Sequence, residues 1–213
     1  MNQARSRRGA VSAALVVVGV LVLLLLVLGG CAASQYNAIV GADEKVEASS
    51  SEVQNQYKRR YDLVPQLVET VKGAAEFEQS TITAVTEARA SVGKLQLPDK
   101  LPEDPAQLQQ YFEAQQGLGS ALSWLLVVAE NYPELRATEG FRDLQSQLEG
   151  TENRIAVARH DFIDSVREYN VRIRRFPGNL FAGMFGFEPR PQLEVEAGVE
   201  ARPEIDFDFG QPK

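Results

Sequence analysis

The residues best suited to chemistry in this chain are charged and stand close to apolar stripes. Arg60, Arg89, Arg154 and Arg159 lie near such stripes, as do Glu69, Glu130 and Glu152. A charge taken out of water needs a partner, and a guanidinium can hold a carboxylate through two hydrogen bonds. Structural Arg–Glu pairing inside a helical core is the favoured reading of these residues. The alternative is a site for an anion or a peptide carboxylate lined by the same arginines. Arg59 sits in the basic cluster Lys58-Arg59-Arg60, and a second cluster is formed by Arg172, Arg174 and Arg175. Either could touch anionic lipid headgroups, at about 1 kcal/mol per well-placed Lys or Arg. The plainer reading is helix-surface charge, with the second cluster complementing the dipole at a helix C-terminus.

Enzymatic constellations are missing. The single histidine, His160, is preceded three residues earlier by Val157, so the Glu-x-x-His pair of di-metal bundles is absent. With neighbours Arg159 and Asp161 it reads as a solvated side chain. The chain has no Gly-x-Ser-x-Gly elbow, no second histidine for a triad, and no P-loop or dinucleotide fingerprint. One cysteine, Cys31, cannot form an internal disulfide or a cysteine-based zinc cage. The net charge of −7 argues against a nucleic-acid partner, which calls for a basic footprint. These residues imply no metal, no cofactor and no enzyme.

The elements that must carry these residues begin with an anchor. Arg5, Arg7 and Arg8 precede an uncharged stretch from Gly9 to Gly30 whose centre is almost wholly Leu and Val. As a helix this stretch would be about 33 Å long, enough for a hydrocarbon core of about 30 Å. The arginines favour the cytoplasmic side, which puts everything after residue 31 outside. Leu28-Gly29-Gly30-Cys31 resembles a bacterial lipobox, so Cys31 is a possible lipidation site; the other reading is a retained transmembrane helix.

The body from 31 to 187 reads as four long amphipathic helices in an antiparallel bundle. The first covers 35–61 with Ile39, Val46, Val53 and Tyr57. The second is expected from Leu63 to Val92, capped by Asp62 with Pro65 in its first turn. Two prolines mark 95–104 as a loop. Asp104-Pro105 then starts a third helix that runs to about Pro133, with Gly117 and Gly119 as weak points. The fourth spans about 138–176, where Phe162, Val166, Tyr169, Ile173 and Phe176 step by four and three. A short apolar segment, Leu180 to Phe187, follows Pro177-Gly178. Residues 188–213 hold seven acids and three bases and read as a flexible acidic tail, in which Ile205 to Phe209 alternates.

Particular residues in this frame resemble the LemA family. They are Tyr36-Asn37, Arg59-Arg60-Tyr61-Asp62-Leu63-Val64-Pro65-Gln66-Leu67-Val68-Glu69, Glu87-Ala88-Arg89, and Glu130-Asn131-Tyr132-Pro133-Glu134-Leu135. Thr151-Glu152-Asn153-Arg154-Ile155, Ala158-Arg159, Tyr169-Asn170 and Phe176-Pro177 complete the set, across about residues 35–187. The resemblance implies an all-α bundle on one N-terminal anchor, without established enzymatic activity or agreed ligand. Relatives associated with membrane assemblies point to a scaffold or adaptor for other bacterial envelope proteins. Gly30-Cys31 is similar to the lipoprotein-like minority of the family. The rival expectation is a binding module for a small anionic ligand or lipid headgroup.

Overall fold

In the computed structural model, residues 3–73, 77–95 and 100–192 are described. They are all-α: α1 (Gln3–Lys72), α2 (Gln79–Lys94), α3 (Pro105–Ala129), the single turn α4 (Pro133–Ala137), α5 (Glu139–Arg174) and α6 (Gly178–Phe185). No strand occurs among the described residues. Two helix starts follow local chemistry. The Asp104 carboxylate accepts from the Gln107 amide at 2.9 Å with Pro105 at the first helical position. The Thr138 hydroxyl accepts from the Phe141 amide at 3.4 Å and starts α5.

The expected break at Asp62 does not occur. α1 continues through Pro65 to Lys72, Asp62 is exposed within it, and the chain turns only at Gly73. A proline inside a helix cannot donate to the carbonyl four residues earlier, which here belongs to Tyr61. The Arg89 Nε donates to that same Tyr61 carbonyl at 3.4 Å, and the Arg89 guanidinium lies 3.9 Å from the Tyr61 ring centroid. A side chain from α2 thus supplies the donor that Pro65 lacks, and the helix runs on. The expected helix from 63 to 92 is therefore the end of α1 plus α2; Ala74, between them, lies outside the described residues, as does the alternating segment 205–209.

Register follows from the contacts between helices. Ala38 with Arg172, Lys45 with Glu168, Ser49 with Ser165 and Arg60 with Glu152 pair ascending positions of α1 with descending positions of α5, so the two run antiparallel. Gln54 with Tyr111 and Arg60 with Gln115 ascend together, so α3 runs parallel to α1. The apolar interior is divided in two. A near cluster, on the side of the apolar N-terminal part of α1, joins Ile39 to Tyr57 with Leu108 to Phe112 and Ile155 to Ile173. A far cluster joins Leu63 to Val71 with residues of α2, Leu118 to Ala129 and Phe141 to Leu148.

The chain after α5 turns back on itself. Gly178 is fixed by space, since a Cβ there would lie 2.2 Å from the Arg172 carbonyl oxygen. Gly186 ends α6 at φ 75°, a left-handed conformation that glycine adopts without strain. The start of the segment read as a tail is held to the body. Asn170 accepts from the Arg190 amide at 2.9 Å and donates to its carbonyl at 2.8 Å, while the Arg190 side chain reaches Asp43 at 3.0 Å and also Glu103.

Candidate functional site

Where the two apolar clusters meet, α1, α3 and α5 contribute polar side chains. Arg60 is 3% exposed and its guanidinium is held at two places. Nη1 donates to the Glu152 carboxylate at 2.8 Å; Nη2 donates to the Gln115 backbone carbonyl at 2.6 Å and to its side-chain oxygen at 2.8 Å. Gln115 passes the chain of bonds to the Tyr111 hydroxyl at 2.9 Å, and that hydroxyl donates to the Gln54 side-chain oxygen at 2.5 Å. Arg60 Nε and Gln54 Nε2 are buried and make no hydrogen bond among the described residues. Gly119 leaves room for the guanidinium: a Cβ there would lie 3.0 Å from Arg60 Nη1.

This layer opens on one side into a groove of about 530 Å³ between α3 and α5. Its lining includes Arg60, Glu152 and Arg159 together with Ser123, Trp124 and Val127. The Glu152 side chain is 41% exposed, so the pair joins a buried cation to a partly wet anion. The Arg159 guanidinium sits 5.3 Å from the Phe112 ring centroid, a cation–π placement that keeps its charge at the groove. Trp124 and Val127 are exposed, an amphipathic surface beside two cations. Burial pushes the Tyr57 hydroxyl up to about 12, against the opposing pull of Arg159 and Arg60. Burial also raises Tyr111, although its hydrogen bonds with Gln115 and Gln54 work the other way. The chemistry on offer is recognition of an acidic or amphipathic group by fixed cations. Among the described residues, no group of three His, Cys, Asp or Glu side chains converges as a metal site.

Arg60, Glu152 and Arg159 are therefore brought together, but the remaining charged residues singled out in the sequence are not part of this site. Arg89 serves the Tyr61 carbonyl. Arg59, Glu69 and Arg154 are exposed on helix surfaces, and Glu130 is exposed in the turn that follows α3. His160 is exposed, with Nδ1 3.5 Å from an Asp164 carboxylate oxygen. Cys31 is exposed within α1. Gln54, Tyr111 and Gln115 escaped the charge-based reading; the signal available for them was a polar group set on an apolar stripe.

Comparison with known proteins decides the family. The LemA family model matches residues 49–207, most of the chain. The chain belongs to the LemA family. Its LemA match includes the whole Arg60–Gln115–Glu152 layer and the groove above it. Two magnetosome proteins of Paramagnetospirillum magneticum (strain ATCC 700264 / AMB-1), MamQ 1 and MamQ 2, are each 28% identical to it over 170 residues. MamQ of Magnetospirillum gryphiswaldense (strain DSM 6361 / JCM 21280 / NBRC 15271 / MSR-1) is 26% identical over the same length. Each alignment takes in 72% of this LemA-family chain and 62% of the curated relative, so the chain spans less than two thirds of the relatives it matches.

Proposed function

We propose that this protein is a non-enzymatic scaffold or adaptor of bacterial envelope assemblies, anchored in the membrane by its N-terminal segment. In this reading residues 1–30 are the anchor, 31–187 an antiparallel bundle whose four long helices are α1, α2, α3 and α5, and 188–213 an acidic tail. The body stands on the extracytoplasmic side. The anchor rests on the exposed run Val18 to Leu28, in a helix long and apolar enough to cross a bilayer. The lipobox-like Gly30-Cys31 offers the other form of this anchor, in which residues 1–30 are removed and a lipid on Cys31 holds the body. Labelling with a fatty-acid analogue tests it, and an unlabelled wild type assigns a retained helix instead.

The observation that carries the adaptor reading is the groove at the middle of the body. Exposed Trp124 and Val127 beside Arg159 and the Arg60–Glu152 pair match the amphipathic, arginine- and aromatic-rich composition of protein-recognition surfaces. The relatives' names as magnetosome proteins support a place within a larger assembly. A photo-crosslinking amino acid at Ser123, followed by mass spectrometry of the full chain from cells, is expected to capture a reproducible second envelope protein. Recovery of monomer alone would overturn the adaptor role.

A second reading is favoured by the buried, incompletely bonded Arg60: a small anionic ligand held between Arg60 and Arg159. Phosphate or a dicarboxylate would then raise the melting temperature of the wild type but not of Arg159→Gln.

A further inference from the structure

The antiparallel register brings the C-terminal end of α5 and all of α6 beside the part of α1 that follows the apolar run. Arg172 donates to the Ala38 carbonyl, and the Tyr36 ring packs edge-on against Phe185 at 5.0 Å between centroids. Tyr36 lies six residues past Gly30, about 9 Å along the helix axis at 1.5 Å per residue. The headgroup zone adds about 5–8 Å beyond each side of the hydrocarbon core. The Phe185 end of α6 is thus at the outer edge of the headgroup zone when the helix is retained, and slightly nearer the lipid when Cys31 carries it.

At that level α6 presents an apolar face that the body does not cover. Gly178 and Ala182 point into the body and are buried. Leu180 and Met184, four apart on α6, are 58% and 71% exposed, with Phe185 at 49%, and Phe176 in the turn just before the helix is 80% exposed. Beside this stripe lies an open basin of about 690 Å³, lined by Lys45, Arg167, Arg172, Arg175, Phe176 and the acids Asp164 and Glu168. Those acids are already matched: Glu168 by Lys45 at 2.7 Å and Arg172 at 3.6 Å, Asp164 by Arg167 at 2.9 Å. Arg175 lines the basin, Arg174 is exposed beside it in sequence at the end of α5, and neither forms an ion pair among the described residues.

We propose that α6 is a second membrane contact. Its Leu180 and Met184, with Phe176 from the turn before it, enter the interfacial zone of the bilayer that holds the anchor, and Arg174 and Arg175 bind anionic lipid phosphates there. An apolar stripe with flanking arginines is the pattern by which a helix lies in the membrane surface. The cations stand out in a chain whose part from Cys31 onward carries 29 acids against 19 bases, so their collection at this end matches an anionic surface. The inference rests on the anchor reading and fixes how the body sits on the bilayer.

The test uses the full chain in vesicles of phosphatidylcholine, with and without phosphatidylglycerol, containing brominated acyl chains that quench indole. Trp124 is the only tryptophan and lies far along the body, so the wild type gives the aqueous reference. In a Trp124→Phe background, Met184→Trp is expected to lose most of its emission to the brominated chains, while wild-type emission is unchanged. Phosphatidylglycerol should deepen that loss, and Arg174→Gln with Arg175→Gln should remove the added part. Met184 is exposed, so the substitution leaves packing intact; Leu180→Trp provides a second reporter. A chain that floats with vesicles but leaves both reporters unquenched overturns this inference alone. Blue-shifted, unquenched emission that grows with protein density assigns the face to a second copy and also overturns it. A chain that does not float overturns the anchor reading and this inference together.

Discussion

Arg60 illustrates how one side chain can divide a protein interior. Its charge is buried, its acid partner is partly wet, and that asymmetry makes the two halves of the pair unequal. Removing Glu152 leaves a cation in the interior; removing Arg60 leaves a carboxylate that water can reach. Glu152→Met is therefore expected to cost more stability than Arg60→Met, about 3 kcal/mol against about 1–2 kcal/mol. Chemical denaturation of the full chain in detergent reads both, and the reverse order would contradict this account of the pair. Tyr57 predicts a pH dependence at the same level. Its hydroxyl sits near 10 when unfolded and is pushed up to about 12 by burial. A raised folded value means that stability is fully present below pH 10 and declines as pH rises toward 12. Between those limits the loss is of order 2 kcal/mol. Tyr57→Phe should flatten that part of the decline, and an unchanged slope in a pH series of unfolding curves would show that Tyr57 is not its source.

At the scale of elements, the continuity of α1 depends on a residue from another helix. Arg89 donates to the carbonyl that Pro65 leaves without its helical partner. Arg89→Met should therefore destabilise the fold by about 1–2 kcal/mol in the wild type. It should cost less in a Pro65→Ala background, where the alanine N–H can serve Tyr61. Additive effects in this double-mutant cycle would remove the link. The same interaction explains why sequence reasoning misplaced a helix boundary. Asp62 followed by Pro65 is a sound local start signal, and only a donor brought in by folding overrides it. At Asp104-Pro105 the cap and the proline are adjacent, so the proline takes the first helical position, where its missing N–H costs nothing, and there the helix does begin. The apolar stripes were legible because burial acts on period, and the long α5 followed from spacing except at its end, where the helix stops at Arg174, and Phe176, expected in the stripe, is exposed. The partner of Arg60 was half legible. An Arg–Glu match is expected from charge, whereas Gln54, Tyr111 and Gln115 are chosen by register between helices, which no single stripe encodes. The grip of Asn170 and Asp43 on Arg190 was hidden for a related reason, because a proline-rich acidic stretch gives no sign that one arginine in it will be seated.

On the scale of the whole molecule, the polar layer separates two apolar clusters that share α1, α3 and α5 but no continuous core. Regions with separate cores can open at different free energies. Leu122, buried in the far cluster, tests this: Leu122→Ala should cost about 2–5 kcal/mol there. Amide exchange is expected to speed up in α2 and in the distal part of α3, while the C-terminal half of α5 keeps its protection. Uniform acceleration along the chain would instead make the body a single cooperative unit. The groove that carries the proposed adaptor role lies at the junction, where a partner could draw on residues from both halves.

The unbroken α1 has a mechanical consequence. From residue 31 to Lys72 it is roughly 63 Å long at 1.5 Å per residue, and the same helix extends back into the proposed anchor. In the retained-helix form of the proposed anchor, such a rod is a lever with its fulcrum in the bilayer. Transmembrane helices change tilt as lipid thickness changes, and a change of about 10° would swing the far end of this lever by about 10 Å. In that form the side-chain patch closing the Tyr61 carbonyl keeps the lever stiff near its tip, and the proposed α6 contact, close to the fulcrum, opposes its swing.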